Sequence, residues 1–177
     1  MDYINDLPIL FIAITLFLYI PLRISYRKKM KIKNNKLREI TFILLIAYGE
    51  SLLYLTLFPT SSVVPNQVSI NLIPFKTINL YINHHQDFTL QVINLLGNVV
   101  VFIPIGIFVL LLLNRVTFFK VSFIGLGSTL FIEVMQLLLS INGVISRSFD
   151  VDDLILNTAG VIIGYAIGTL GRKFFPL

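Results

Sequence analysis

The stretch VSFIGLGSTLFIEVMQLLLSI, residues 121–141, decides the fold of this chain. It is long and apolar enough to cross a bilayer, which takes about 20 such residues. One ionisable side chain, Glu133, interrupts it, and a second run, ITFILLIAYGESLLYLTLF at 40–58, carries Glu50 in the same way. Because a carboxyl group at bilayer depth is costly, both glutamates are predicted to face protein, water or a ligand.

The composition of the whole chain agrees with a membrane protein. Hydrophobic residues make up 56% of the 177 residues and charged residues 13%, compared with about 25% charged residues in soluble domains. The chain has no cysteine, which excludes disulfides, thiol catalysis and Cys-type zinc sites. We therefore predict one integral membrane domain over residues 1–177, multi-pass in the cell membrane, with no cofactor and no metal site.

Apolar runs of spanning length recur along the chain, and they predict an all-α protein with five transmembrane helices. The first run is preceded by the acidic residues Asp2 and Asp6 and followed by basic ones, the reverse of a signal peptide, so it is predicted to be a retained helix. The five predicted segments are residues 7–24, 40–58, 91–113, 121–141 and 153–170.

The distribution of basic residues predicts the orientation of these helices. All but two of the 14 Lys and Arg residues lie in the 23–38 loop, the 114–120 turn or the C-terminal tail. Cytoplasmic loops are enriched in Lys and Arg, so the N-terminus is predicted outside and the C-terminus inside. The charge in the basic loop indicates contact with anionic lipid and argues against a nucleic-acid partner.

The longest connection, residues 59–90, is predicted to lie outside. Its prolines limit regular helix, and the sequence NLIPF at 71–75 is too apolar for a fully solvated loop. We expect this loop to be partly membrane-associated, either dipping back into the helix bundle or lying along the outer interface.

Polar residues in the predicted spans concentrate in their outer halves and pair at helical spacing. Residues three or four apart share a helix face, and this applies to Asn94 with Asn98, Glu133 with Gln136, and Asp153 with Asn157. These faces predict a polar cavity that opens outward. Its predicted lining is Glu50, Asn94, Asn98, Glu133, Gln136 and Asn157. Interhelical hydrogen bonding without a ligand is the alternative interpretation of the same residues.

Small residues continue the polar face of the last span. Gly160, Gly164 and Gly168 follow at intervals of four, which allows the backbone of another helix to approach closely. This stripe is predicted to be a packing surface.

The sequence RSFDVDD, residues 147–153, is predicted at the mouth of the cavity. Arg147 can pair with Asp150, Asp152 and Asp153, or it can bind a carboxylate or phosphate of a ligand bidentately. The alternative is that the aspartates cap the last helix, since aspartate accepts free amides at a helix N-terminus and suits its dipole.

Four motifs in order carry a family resemblance: INLIPFKTI (70–78), NLLGNVVVFIPIGIF (94–108), IEVMQ (132–136) and RSFDVDDLILNTAGVIIGY (147–165). With them the chain resembles the VanZ-like family of bacterial membrane proteins over residues 48–172, and residues 1–38 form an extra N-terminal helix and basic cytoplasmic loop. The resemblance adds Asn71 to the candidate set. The candidate ligand-binding residues are Glu50, Asn71, Asn94, Asn98, Glu133, Gln136, Arg147, Asp150, Asp152, Asp153 and Asn157.

The resemblance implies a role in the cell envelope of Gram-positive bacteria, because the family is named for teicoplanin resistance. It favours a non-enzymatic protein that binds an amphiphile, either a lipoglycopeptide antibiotic or a lipid-linked wall precursor, beside membrane lipid. The alternative is a membrane enzyme acting on a lipid-linked wall precursor. In that case Glu133 is the candidate general base, and the aspartates at 150–153 hold a divalent cation.

Overall fold

The computed structural model describes residues 3–33, 35–57, 68–83, 88–113, 115–145 and 147–174. Within these residues the chain forms six helices and two short strands. In order they are α1 (Tyr3–Lys29), α2 (Lys36–Leu57), β1 (Ile70–Asn71), α3 (Lys76–Asn83), α4 (Phe88–Leu112), α5 (Phe118–Ile141), β2 (Phe149–Asp150) and α6 (Val151–Phe174). All of the helices except α3 contain a stretch long and apolar enough to cross a membrane. The predicted all-α membrane fold with five spans is confirmed.

Packing of the backbone divides the chain into two compact units, Met1–Leu55 and Thr56–Leu177, which are described separately. In the first unit Glu39 of α2 accepts hydrogen bonds from the Arg23 guanidinium of α1, at 3.0 and 3.2 Å. The region 23–38, predicted to be a loop, is mostly helical, since α1 extends to Lys29 and α2 begins at Lys36. Lys and Arg are good helix formers and favour helix C-termini, which explains why α1 extends through them.

In the second unit α4 and α6 run parallel and in close contact. A Cβ atom built on Gly160 would overlap the carbonyl oxygen of Val99, and one built on Gly164 would overlap that of Ile103. Gly106 of α4 has the same relation to the carbonyl oxygen of Val161. The predicted packing role of the glycine stripe is confirmed, and α4 is the helix that it contacts.

Helix α5 packs against α6 in the opposite direction. A Cβ atom on Gly125 would lie 3.1 Å from the Cβ of Val161, and the Asn157 side chain donates to Thr129 Oγ1 one turn further along, at 2.8 Å. The C-terminal end of α5 therefore lies beside the N-terminal ends of α4 and α6. We call this end of the second unit the junction end.

A parallel pair of two-residue strands lies at the junction end. Ile70 of β1 is in register with Phe149 of β2, and Asn71 is in register with Asp150. Strand β1 and helix α3 place ordered structure inside the predicted 59–90 loop, and α4 begins within it at Phe88. Residues 59–67 and 84–87 of that loop lie outside the described residues. The pairing joins residues 79 apart in sequence, and no local pattern predicted it.

Candidate functional site at the junction end

The three aspartates of the 147–153 motif have three different sets of partners. Asp150 is the last residue of β2, and its Oδ1 accepts the backbone N–H of Asp152 at 2.9 Å. Since the two residues open α6, this contact is an N-cap of the kind expected of aspartate. The predicted capping role is thus confirmed for Asp150.

The carboxylate of Asp150 also binds the segment that contains β1. Its Oδ1 accepts the Asn71 side-chain N–H at 2.9 Å, and its Oδ2 accepts the Thr77 hydroxyl at 2.5 Å. Asn71 Nδ2 lies within hydrogen-bonding distance of Thr77 Oγ1 as well, at 3.0 Å. Asp150 and Asn71 are buried, with 6% and 9% of their surfaces exposed. This carboxylate is therefore occupied by the protein itself.

The carboxylate of Asp152 caps a helix other than its own. It accepts the backbone N–H groups of Phe75, Thr77 and Ile78 at 2.5, 2.7 and 3.0 Å. These amides open α3, whose free N–H groups and positive dipole end suit an anion. A helix of eight residues is marginal by itself in water, so this fully buried carboxylate is a main stabilising contact of α3.

Glu133 of α5 holds β2 from the other side. Its Oε2 accepts the backbone N–H of Asp150 at 3.0 Å, and only 2% of the residue is exposed. One turn further along α5, Gln136 donates from Nε2 to the carbonyl oxygen of Thr56 at 2.9 Å. Both side chains face protein and not lipid, as predicted for Glu133.

Asp153 and Asn157 face the neighbouring helices at successive turns of α6. Asn98 of α4 donates from its side-chain amide to Asp153 Oδ1, and Asn157 donates to Thr129 of α5. Asn157 is 4% exposed, and its Oδ1 is buried without a hydrogen-bond partner among the described residues. The contact between α5 and α6 at Asn157 therefore contains a buried acceptor that is not used.

The backbone of Arg147 is fixed while its side chain is exposed. Ser140 of α5 donates from its hydroxyl to the carbonyl oxygen of Arg147 at 2.7 Å, and Ser140 Oγ accepts the N–H of Arg147 at 3.1 Å. Within the described part of the chain the guanidinium makes no ion pair within 4.0 Å. Arg147 is therefore an exposed cation on an ordered backbone.

The structure thus brings most of the predicted residues together at the junction end, where they form one hydrogen-bonded network and several separate contacts. Asn94 is exposed one turn before Asn98, and Glu50 lies on α2 in the first unit, which is described separately. The open recess predicted from the sequence stays a prediction. The predicted residues joined in the network are Asn71, Glu133, Asp150 and Asp152. Those in separate contacts at the junction end are Asn98, Gln136, Arg147, Asp153 and Asn157.

Three hydroxyl residues add to these contacts, although they are not among the predicted residues. Thr129 and Ser140 are buried on α5, on the face that also carries Glu133 and Gln136. The spacing at 129, 133, 136 and 140 places Thr129 and Ser140 on the face of Glu133 and Gln136, so this helical periodicity could have identified them. The third, Thr77, follows the turn at Pro74 and bridges to Asp150.

The arrangement bears on metal binding. Among the residues that the structure describes, no group of three or more His, Cys, Asp or Glu side chains is placed to hold a metal ion. The carboxylates of Asp150 and Asp152 bind the β1–α3 region, and that of Asp153 binds Asn98. The aspartates of this motif therefore do not converge as the enzymatic alternative requires.

The sequence profile of the VanZ/LLP1 family matches residues 42–172, well over half of the chain. The chain belongs to the VanZ/LLP1 family. The match begins in α2, leaves out α1 and includes every residue of the junction end, in agreement with the resemblance drawn from the four motifs. No curated protein and no solved structure matches the chain significantly.

Proposed function

We propose that this VanZ/LLP1 protein binds an amphiphile with an acidic head group and an acyl tail at the junction end. The proposed ligand class is a lipid-bearing glycopeptide such as teicoplanin, or a lipid-linked wall precursor. Binding next to the membrane would keep such an antibiotic from its target and so confer resistance. In this proposal the protein resides in the cell membrane with its N-terminus outside, which places the junction end outside as well.

The observation that carries the proposal is that Arg147 has an ordered backbone but an exposed side chain without an ion pair among the described residues. Its backbone is held on both sides by Ser140, while its guanidinium makes no ion pair among the described residues. A guanidinium presents a planar set of donors that matches carboxylate and phosphate geometry. Because the backbone is already ordered, binding an acidic group costs less conformational entropy than it would on a free loop.

The polar network supports this proposal by fixing the elements around Arg147. Glu133 and Ser140 connect α5 to the 147–150 segment, and Asp150 connects that segment to β1. In this proposal the buried residues position Arg147, and the head group contacts Arg147 itself. The hydrocarbon region beside the spans receives the tail, which gives selectivity for tailed glycopeptides.

The experiment compares resistance to teicoplanin and vancomycin in a susceptible Gram-positive strain that expresses the wild type or a variant. We expect protection against teicoplanin to be lost with Arg147→Ala and partly kept with Arg147→Lys, which retains the charge but not the bidentate geometry. The matched control is Lys120→Ala, which removes an exposed cation from the opposite end of α5.

Binding to the purified protein completes the test. We expect teicoplanin to bind the wild type and Lys120→Ala more tightly than Arg147→Ala, and a glycopeptide without a tail to bind all three weakly. Full resistance in the Arg147→Ala strain, or equal affinity for vancomycin and teicoplanin, would contradict the proposal. Loss of resistance with undiminished binding would instead favour the enzymatic alternative.

A further inference from the structure

The 70–83 segment, which comprises β1, the turn at Pro74 and α3, exposes an unusual amount of apolar surface. Phe75 and Ile73 are each 61% exposed, and Ile82 is 63% exposed. Within this segment α3 has no buried residue. The other exposed apolar side chains of the segment are Ile70, Leu72 and Leu80. A water-facing loop gains nothing from such a set, since exposed apolar surface of this kind marks contact with a membrane or partner.

One side of the 70–83 segment forms a shallow groove. Most of its lining is apolar and comes from Ile73, Pro74, Phe75, Ile78 and Ile82, and Lys76 and Asn79 supply the polar part of the same lining. Asn83 is exposed one turn after Asn79. A short helix with an apolar side next to a polar, cationic one is typical of segments that lie in the plane of a membrane interface.

The height of the segment relative to the membrane follows from its anchors. Asp150 and Asp152 bind it directly, and these residues stand at the beginning of α6, whose spanning stretch begins at Val151. The segment is therefore held level with the end of a span, where hydrocarbon gives way to head groups.

The backbone at Phe75 gives a second, independent indication. Phe75 has a φ of +63°, a left-handed conformation that aromatic residues rarely adopt. Asp152 holds it there through the Phe75 N–H, and the ring points outward. Strained backbone persists where surrounding contacts impose it, commonly at binding surfaces. Here the left-handed conformation leaves the Phe75 ring exposed, as is the side chain of Ile73.

We infer that the 70–83 segment is a lipid-binding surface that lies in the leaflet at the junction end. An acyl chain of a leaflet phospholipid occupies the groove formed by Ile73, Phe75, Ile78 and Ile82. Lys76, Asn79 and Asn83 lie in the head-group layer, where the cation favours anionic lipid. This inference does not depend on the proposed antibiotic ligand.

The test uses the full chain, which has no native cysteine and therefore accepts single-cysteine labels. Phe75→Cys, Ile82→Cys and Asn79→Cys are each labelled with an environment-sensitive fluorophore and reconstituted in phosphatidylcholine–phosphatidylglycerol vesicles. All three positions are exposed, so the labels disturb little packing. Quenching by lipids brominated on the acyl chain is compared with quenching by aqueous iodide.

We expect the labels at positions 75 and 82 to emit further to the blue and to be quenched several-fold more by brominated chains than the label at 79. The label at 79 should respond mainly to iodide. Strong iodide quenching at 75 and 82 would overturn the inference, because the segment would then face water. Protection of both labels from both quenchers would also overturn it, because protein would then cover the groove.

Discussion

Helix α6 is held in two contrasting ways along its length. Against α4 it presents Gly160 and Gly164, which leave no space between the two backbones. At its N-terminus it presents Asp150 and Asp152, which are bonded to the β1–α3 region, and Asp153, which is bonded to Asn98 of α4. The first contact depends on the absence of side chains, and the second depends on the hydrogen-bonding capacity of side chains.

The difference teaches which changes each region tolerates. In the glycine contact a single added carbon atom overlaps a backbone carbonyl, so shape alone decides stability. In the junction a substitution that keeps the shape but removes an acceptor leaves buried N–H groups unpaired, so bonding capacity decides. The two cases can be separated by making the same substitution inside and outside each contact.

The largest effect is expected from Gly164→Leu. The new side chain would overlap the backbone of α4 at Ile103, and overpacking of this kind costs about 3 kcal/mol or more when the backbone must move. We expect little folded, monodisperse protein in detergent and a much lower temperature of unfolding. Gly127→Leu is the control, because a Cβ at Gly127 of α5 meets no atom within 4 Å. If the two variants were equally stable, the close contact of α4 and α6 would be refuted.

A smaller and more local effect is expected from Asp152→Asn. The change keeps the shape but replaces a carboxylate oxygen that accepts the amides opening α3, at a cost of about 1–3 kcal/mol. We expect faster amide hydrogen exchange in residues 70–83, measured by mass spectrometry of the full chain. Asp153→Asn is the matched control, since its carboxylate bonds to Asn98 of α4. Unchanged exchange in Asp152→Asn would show that the carboxylate does not hold α3.

A third prediction concerns the hydrogen bond between two uncharged side chains, from Asn157 of α6 to Thr129 of α5. Thr129→Val removes the acceptor of the Asn157 amide, and a double-mutant cycle with Asn157→Ala should give a coupling of about 0.6–1.7 kcal/mol. Thr158→Val is the control, because its hydroxyl is buried with no partner among the described residues. A coupling near zero would mean that the bond adds nothing to the packing of α5 on α6.

The smallest structural effect is expected from Glu133→Gln. Glutamine keeps a carbonyl oxygen for the backbone N–H of Asp150, so the free energy of unfolding should change by less than about 1 kcal/mol. Resistance to teicoplanin should survive if Glu133 only positions the junction. Loss of resistance in a stably folded variant would support acid–base chemistry at this residue. Glu133→Ala, which removes the acceptor, should be clearly less stable than the glutamine variant.

The sequence predicted those features that repeat along one helix. Runs of apolar residues located the five spans, and the interval of four between Gly160 and Gly164 identified the face that contacts α4. The same periodicity placed Asp153 and Asn157 on one face of α6. Each of these features is encoded locally, so a single segment is enough to predict it.

The contacts between distant segments could not be predicted in this way. The three aspartates invited interpretation as one cluster, but Asp152 caps α3 from 74 to 77 residues away in sequence. The eight residues of α3 and the two of β1 carry too little periodicity to be recognised. Their order comes from pairing with β2 and with buried carboxylates, which is tertiary structure.

The capping of α3 by Asp152 has a consequence for biogenesis. Ribosomes release a chain from its N-terminus, so α3 emerges well before the residue that caps it. Residues 70–83 therefore complete their structure only after the last span has been made and has packed against α4 and α5. Until then the insertion machinery must handle an apolar, incompletely bonded segment, and a nascent chain arrested before Asp152 would keep it in that condition.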